Sequence, residues 1–328
     1  MTIEVVKYTK DKKDEWNEFV ANSNNGTIFH NLDFLSYHGD KFKKNEHHLM
    51  FYYKGQNLIG VMPLAIFEEG GKLVAKSPYG GSYGGMVVKE YLKFRYSEEL
   101  IESMVKFFRD NNFDEVYITP PPLIYSRVPT CYIEFNLLQN NFEIVNREIT
   151  NVIKLDCFDS DPFEIFEKRA RNAVKKSTKE GVYVVESSDD FSAFYKILKE
   201  TIVRHDAEPT HTLQELKKIH NILVNSIKLD MAYVNEDPAA GILYFICNAQ
   251  AVLTFYICHK TTYGKFYPVN LLIYHGVLWA KKNKFKYLDL GTTTYNMTPR
   301  NNIFMFKESF GSVGYFRDTY FLDLNKRR

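Results

Sequence analysis

Lys307 lies in the run F-M-F-K-E-S-F-G at 304–311. A lysine set among phenylalanines can lose its water. Its ammonium then acts strongly on a nearby negative charge, which is the chemistry of an oxyanion stabiliser. The same pattern also fits a surface lysine between core phenylalanines, with its head in water. Upstream, K-Y-L-D-L-G at 286–291 reads as a buried strand that delivers Asp289 to a Thr-rich loop. Asp289 is a candidate proton acceptor, or a buried group held by loop N–H donors. A second polar cluster is T-I-V-R-H-D-A-E-P-T-H at 201–211, with Thr201, Arg204, His205, Asp206, Glu208 and His211. That mixture binds substrate or moves protons, His205 being the second candidate base, or it is a polar loop between helices.

Two further stretches could hold a ligand. Segment 161–179 has helical periodicity, with Phe163, Phe166, Ala170, Ala173 and Val174 on one face. Lys168, Arg171, Lys175 and Lys179 lie opposite, flanked by Arg169 and Lys176. Lys168, Arg169, Arg171 and Lys175 are candidates to grip donor phosphates or a tRNA end; a solvated helix face is the alternative. The segment S-P-Y-G-G-S-Y-G-G at 77–85 holds four of the 17 glycines. It lets a backbone approach a ligand closely, with Tyr79 and Tyr83 as substrate contacts, or it is a structural turn. The spacings of phosphate loops are absent. Tyr256, Tyr267 and Asn270 complete the candidate substrate contacts.

Elements that must position these residues follow from periodicity. Strands are expected over 3–6, 47–53, 58–67, 72–76 and 115–119, with a helix after Ser97, read as its N-cap, through about 111. Segment 27–30 reads as extended. In the later half, Thr212 and Glu215 form a capping box, strands follow over 229–234, 240–247 and 251–259, and a helix spans 271–282. N-N-F-D-E-V-Y-I-T at 111–119 is echoed by N-K-F-K-Y-L-D-L-G at 283–291, each after an apolar helix. The echo predicts two α/β domains built alike, divided as 1–152 and 153–328.

Bulk properties agree with this plan. A chain of 328 residues suits two domains, and 45% hydrophobic with 25% charged residues is ordinary for a globular protein. The formal charge of +2 gives no global drive toward DNA or anionic membranes. Cys131, Cys157, Cys247 and Cys258 make no zinc spacing, and the histidines make no HExxH motif, so no metal is expected. The N-terminus lacks an apolar run after its charges, and no stretch has the length of a membrane span; a cytoplasmic protein is expected.

The chain resembles the FemAB/FemX-like family of tandem GNAT-fold acyltransferases. The resemblance rests on W-x-x-F-V…G-T-I-F-H from Trp16 to His30, on R-A-R-N-A-V-K-K from Arg169 to Lys176, on Pro268-x-Asn270-Leu-Leu, and on Tyr287-x-Asp-x-Gly291 followed by F-K-E-S-F-G. It implies an α/β (α+β) fold of two GNAT-like domains, each a mixed, mostly antiparallel sheet flanked by helices. It also implies transfer of an acyl or aminoacyl group to an amine of a cell-wall or cell-surface precursor. The family's cleft lysine matches Lys307, and Thr201 and Arg204 match precursor-binding positions. The donor is then aminoacyl-tRNA or acyl-CoA, with no permanently bound cofactor. Two departures stand out: Ser36 occupies the place of the family's N-terminal precursor lysine, and the R/Q-x-x-G-x-G/A pyrophosphate loop is missing. An acetyl-CoA-dependent enzyme acting on a nucleotide sugar or polysaccharide precursor, and a non-catalytic binding module, remain as alternatives.

Overall fold

A computed structural model describes residues 3–203 and 208–326. The chain forms two compact units, Met1–Glu148 with Phe316–Arg328, and Ile149–Tyr315. The division expected at 152/153 falls at 148/149, and Phe316–Arg328 groups with the first unit.

The chain opens with β1 (Ile3–Lys7), α1 (Lys13–Asn22), α2 (Leu32–Leu35), β2 (Leu49–Tyr53), β3 (Asn57–Met62), β4 (Ala65–Glu69), β5 (Lys72–Ser77) and β6 (Val87–Val88). Then come α3 (Phe94–Asp110), β7 (Glu115–Ile118), α4 (Tyr132–Gln139) and β8 (Glu143–Lys154). The second unit adds α5 (Lys168–Lys179), β9 (Tyr183–Val185), α6 (Phe191–Val203), α7 (Leu213–Ile222), β10 (Ile227–Val234), β11 (Asp237–Ile246) and β12 (Ala251–His259). It closes with α8 (Pro268–Lys282), β13 (Tyr287–Thr292), the small pair β14 (Thr294–Tyr295) and β15 (Thr298–Pro299), and α9 (Asn301–Glu308). Strand β16 (Val313–Asp323) ends the chain, and the unit boundaries fall inside β8 and β16.

In the first unit β1, β2, β3 and β6 form one antiparallel sheet. Strands β4 and β5 form a hairpin, β7 joins β5 in parallel, and β16 pairs antiparallel to β7 from Tyr320 to Asp323. Leu100, Ile101, Met104, Val105 and Phe108 of helix α3 share one buried core with Phe51, Val116, Ile118, Tyr320 and Leu322. Each such side chain contributes about 1.5–3 kcal/mol on burial. Three local expectations need correction. Ser97 is not the N-cap: α3 begins at Phe94, and the buried Ser97 hydroxyl donates to the Phe94 carbonyl. The strand read over 58–67 is two strands, because Pro63 supplies no N–H for a ladder. Segment 27–30 is a short 3-10 turn closed by a Thr27–His30 capping box.

The second unit is a sheet in the order β8-β13-β12-β11-β10-β9. All its neighbours are antiparallel except β12 and β13. Residues of α5 and α8 share the core on one side of the strands, including Ala170, Val174, Leu272 and Val277. Helix α6 lies against β11 and β12, and Gly241 makes this close: a Cβ there would meet the Phe194 ring at 2.6 Å. The helix read over 161–179 breaks at 165–167, and α5 proper starts at Lys168. The Thr212–Glu215 capping box forms as expected.

The echo at 111–119 and 283–291 has a structural basis. Asn111 and Asn283 each end a helix and donate from Nδ2 to the carbonyl four residues back, both at 2.8 Å. The next residues, Asn112 and Lys284, take φ 56° and 63°. Phe113 and Phe285 then donate backbone N–H to the carbonyl five residues back. These are matched left-handed helix ends that turn the chain into a parallel-paired strand, β7 beside β5 and β13 beside β12.

Candidate functional site

Parallel pairing of β12 with β13 runs from Ala251–Tyr287 to Leu253–Asp289. On the other side of β13, pairing with β8 is irregular between Asp289 and Thr292. Gly291 takes φ +80° in this irregularity, a conformation suited to glycine. Asp289 builds the distortion. Its buried carboxylate accepts from the Thr150 hydroxyl and, at 2.8 Å, from the Gly291 backbone N–H. The Gly291 and Thr292 carbonyls are thereby turned to the side chain of Lys307.

Lys307 is 6% exposed, in the last turn of α9. Its ammonium donates to Gly291 O at 2.7 Å and Thr292 O at 2.9 Å. Of three ammonium donors two are thus used among the described residues. Burial pulls the Lys307 pKa down from 10.5 to about 8, against the opposing pull of the Asp289 charge. The lysine is therefore not on the surface, and its loss of water is real. Phe306 and Phe310 pack into the core on either side of it.

Around the start of α8 lies a cavity of about 630 Å³, lined by Arg169, Lys176, Tyr267, Asn270, Met305 and Phe306 among others. Tyr267 is in the left-handed conformation before Pro268, and the Lys176 ammonium lies 5.1 Å from its ring centre. The cavity brings Arg169, expected at donor phosphates, together with Tyr267 and Asn270, expected at substrate. The basic face of α5 divides. Arg169 and Lys176, seven residues apart, share the cavity side with Asn172 and Ala173. Arg171 instead donates to the Phe163 carbonyl, and Lys175 lies over the Phe163 ring. Lys168 is exposed at the helix start.

Elsewhere the second unit uses its candidates in local networks. The Thr201 hydroxyl donates to His259 O at 3.1 Å and fastens α6 to β12. Tyr256 bonds through its hydroxyl to Thr210 and, at 3.0 Å, to His211 Nδ1. Burial raises the Tyr256 pKa. Arg204 and His205 lie outside the described residues. In the first unit Tyr79 and Tyr83 are buried. Tyr79 holds Glu46 and His48 at 3.3 Å each, and Tyr83 packs against Phe29 and Tyr125. The glycine-rich loop is pinned by His30 to Gly84 O and by Tyr37 and His38 to Gly80 O.

Two features escaped sequence reasoning. Thr150 supports Asp289 from 139 residues away, and nothing local marks it. Lys228 and Asp230 form a buried ion pair in β10 beneath Tyr244 and Trp279. Its sequence signal was two charges alternating through an apolar strand. Among the described residues no group of His, Cys, Asp and Glu is arranged to hold a metal ion, and no helix is long and apolar enough to cross a membrane.

This architecture is the tandem GNAT fold. Residues 166–298 match the family model described as an acetyltransferase (GNAT) domain. The whole chain is similar to the crystal structure of FemX, at 13% identity over 98% of both chains with a TM-score of 0.73. It is also similar to L-PGS from Bacillus licheniformis, at 13% identity over 95% of this chain and 91% of that one, TM-score 0.58. A tandem GNAT protein from the clavulanic acid biosynthesis pathway, solved without acetyl-CoA, aligns over 99% of this chain and 100% of its own, at 10% identity and TM-score 0.56. No curated protein matches the chain by sequence.

Proposed function

We propose that the protein is an N-acyltransferase that passes an acyl or aminoacyl group to an amine of a cell-wall or cell-surface precursor. The observation that carries this reading is the buried Lys307 ammonium, held by two carbonyls. The acceptor amine attacks the donor's carbonyl carbon. A C–N bond forms, and the C–O bond of an ester or the C–S bond of a thioester breaks. Negative charge grows on the carbonyl oxygen in between, and the Lys307 ammonium stabilises it in a site of low water content. Asp289 is already committed to Thr150 and Gly291, so its role here is to position the strand. His205, which lies outside the described residues, is the second candidate to accept the amine's proton.

The cavity beside α8 suits the donor's phosphates. Arg169 and Lys176 offer positive charge, and the helix N-terminus adds to it. Such a site serves the pyrophosphate of an acyl-CoA as well as the phosphates of an aminoacyl-tRNA end, so the two donors compete in this reading. Mass spectrometry of products, with each donor offered together with a cell-extract acceptor pool, decides between them. Lys307→Ala should lower turnover about 10²–10³-fold. Unchanged turnover in that variant would overturn the assignment and favour a binding module.

A further inference from the structure

Lys307 and the carbonyls that hold it belong to two segments, and their spacing has to be set by something outside both. Thr292, one of the two acceptors, is followed by the buried Thr293. Helix α9 ends at Glu308, and Gly311, with φ +76°, turns the chain to the buried Ser312. Asn151 of β8, 1% exposed, joins the two. Its side-chain carbonyl accepts from the Thr293 hydroxyl at 2.7 Å, and its amide donates to the Ser312 hydroxyl oxygen at 3.1 Å. The Thr293 hydroxyl also reaches the Ile149 carbonyl at 3.1 Å, and the Thr293 N–H donates to that carbonyl at 2.8 Å. Thr150, between Ile149 and Asn151, holds Asp289. Three successive residues of β8 thus grip the end of β13, and Asn151 alone of them also reaches the end of the lysine's helix.

An apolar side chain of similar volume would fill this space without the cost of burying an amide. A buried amide bonded at both ends does something that packing does not. Apolar contact is non-directional, whereas hydrogen bonds have set lengths and angles, and a satisfied network rigidifies what it joins. We propose that Asn151 is a positioning residue for Lys307: it locks the segment after Thr292 to the end of α9, so that the ammonium stays against its carbonyls and out of water. Its effect on turnover rests on the acyl transfer proposed above, whereas its effect on the lysine's surroundings needs no substrate.

NMR of the full chain, isotope-labelled at lysine Cε, follows the Lys307 titration directly, with the signal assigned by its loss in Lys307→Met. The wild-type midpoint is expected near the value of about 8 that burial sets. Asn151→Leu removes both bonds at similar volume, and Thr293→Val and Ser312→Ala each remove one hydroxyl. All three should admit water and move the midpoint up by about one unit toward the ordinary lysine value. Should Asn151→Leu fail to fold, the two hydroxyl variants carry the same test. Asn136→Ala is the control: it breaks a buried Asn–Ser bond of 2.9 Å in the first unit, and should leave the midpoint where it is. With acyl-CoA or aminoacyl-tRNA and a cell-extract acceptor pool, the initial rate of Asn151→Leu should drop about tenfold, and its alkaline fall should move up with the midpoint. Folded variants that all titrate like wild type overturn the inference, whatever their turnover. A raised midpoint with unchanged turnover would uphold the positioning role and count instead against Lys307 in acyl transfer.

Discussion

At the residue scale the proposed chemistry turns on the protonation of Lys307. Its pKa in the fold is about 8 against 10.5 for an ordinary lysine, and burial is the cause. The folded state thus disfavours the charged form. Below pH 8 the lysine is charged in folded and unfolded chains alike, and the full penalty is present. Between about 8 and 10.5 the unfolded chain binds more protons, so stability rises with pH. Wild type should gain on the order of 1–3 kcal/mol relative to Lys307→Met across that window in denaturant melts. Activity should move the other way and fall as pH climbs through about 8, because a neutral amine is the weaker stabiliser. A flat rate profile from pH 7 to 9.5 would contradict an ammonium in the reaction. Asp289 is linked to this, because its charge props up the Lys307 pKa, and Asp289→Asn should move the fall in activity to lower pH. Asp289→Asn retains an acceptor for Thr150 and Gly291 and should keep turnover within a few-fold, while Asp289→Ala should lose about 2–3 kcal/mol of stability. A stable but inactive Asp289→Asn would return Asp289 to the role of base.

At the element scale, α5 shows how a helix sorts its charges. Six basic residues crowd 168–179, yet the positions i, i+3, i+4 and i+7 from Arg169 reach the cavity while Arg171 and Lys175 serve Phe163. If the cavity takes donor phosphates, Arg169→Gln with Lys176→Gln should raise the donor KM with little change in kcat. It should also flatten the dependence of binding on salt by about two counterions. Lys168→Gln with Lys175→Gln should do neither. Equal effects from both pairs, measured by titration at several salt concentrations, would assign binding to the whole helix face.

At the scale of the whole molecule, the first unit depends on a strand from the far end of the chain. Tyr320 and Leu322 of β16 belong to its core and pair with Ile118 and Val116 of β7. A fragment covering residues 3–148 should therefore fail to give a cooperative melt by circular dichroism. Joining residues 316–326 to it through a flexible linker should restore one. A cooperative melt of the short fragment would show that the β7 edge is dispensable.

Periodicity and caps alone determined much of this protein. The α3 and α8 stripes, the Thr212 capping box, the three strands over 227–259 and the paired turns at Asn111 and Asn283 are local, since hydrogen bonds within a few residues and one buried face set them. The run around Lys307 and the Asp289 strand were visible for the same reason. Tertiary structure decided what local pattern leaves open. It chose which face of a basic helix meets a cavity, turned Tyr79 and Tyr83 inward, and gave the first unit its last strand. It also buried Lys307 and supplied Thr150 to hold Asp289. Water is removed, and the Gly291 and Thr292 carbonyls are brought to the ammonium, by the packing of a strand end against a helix, and the local pattern of either element alone does not announce that meeting.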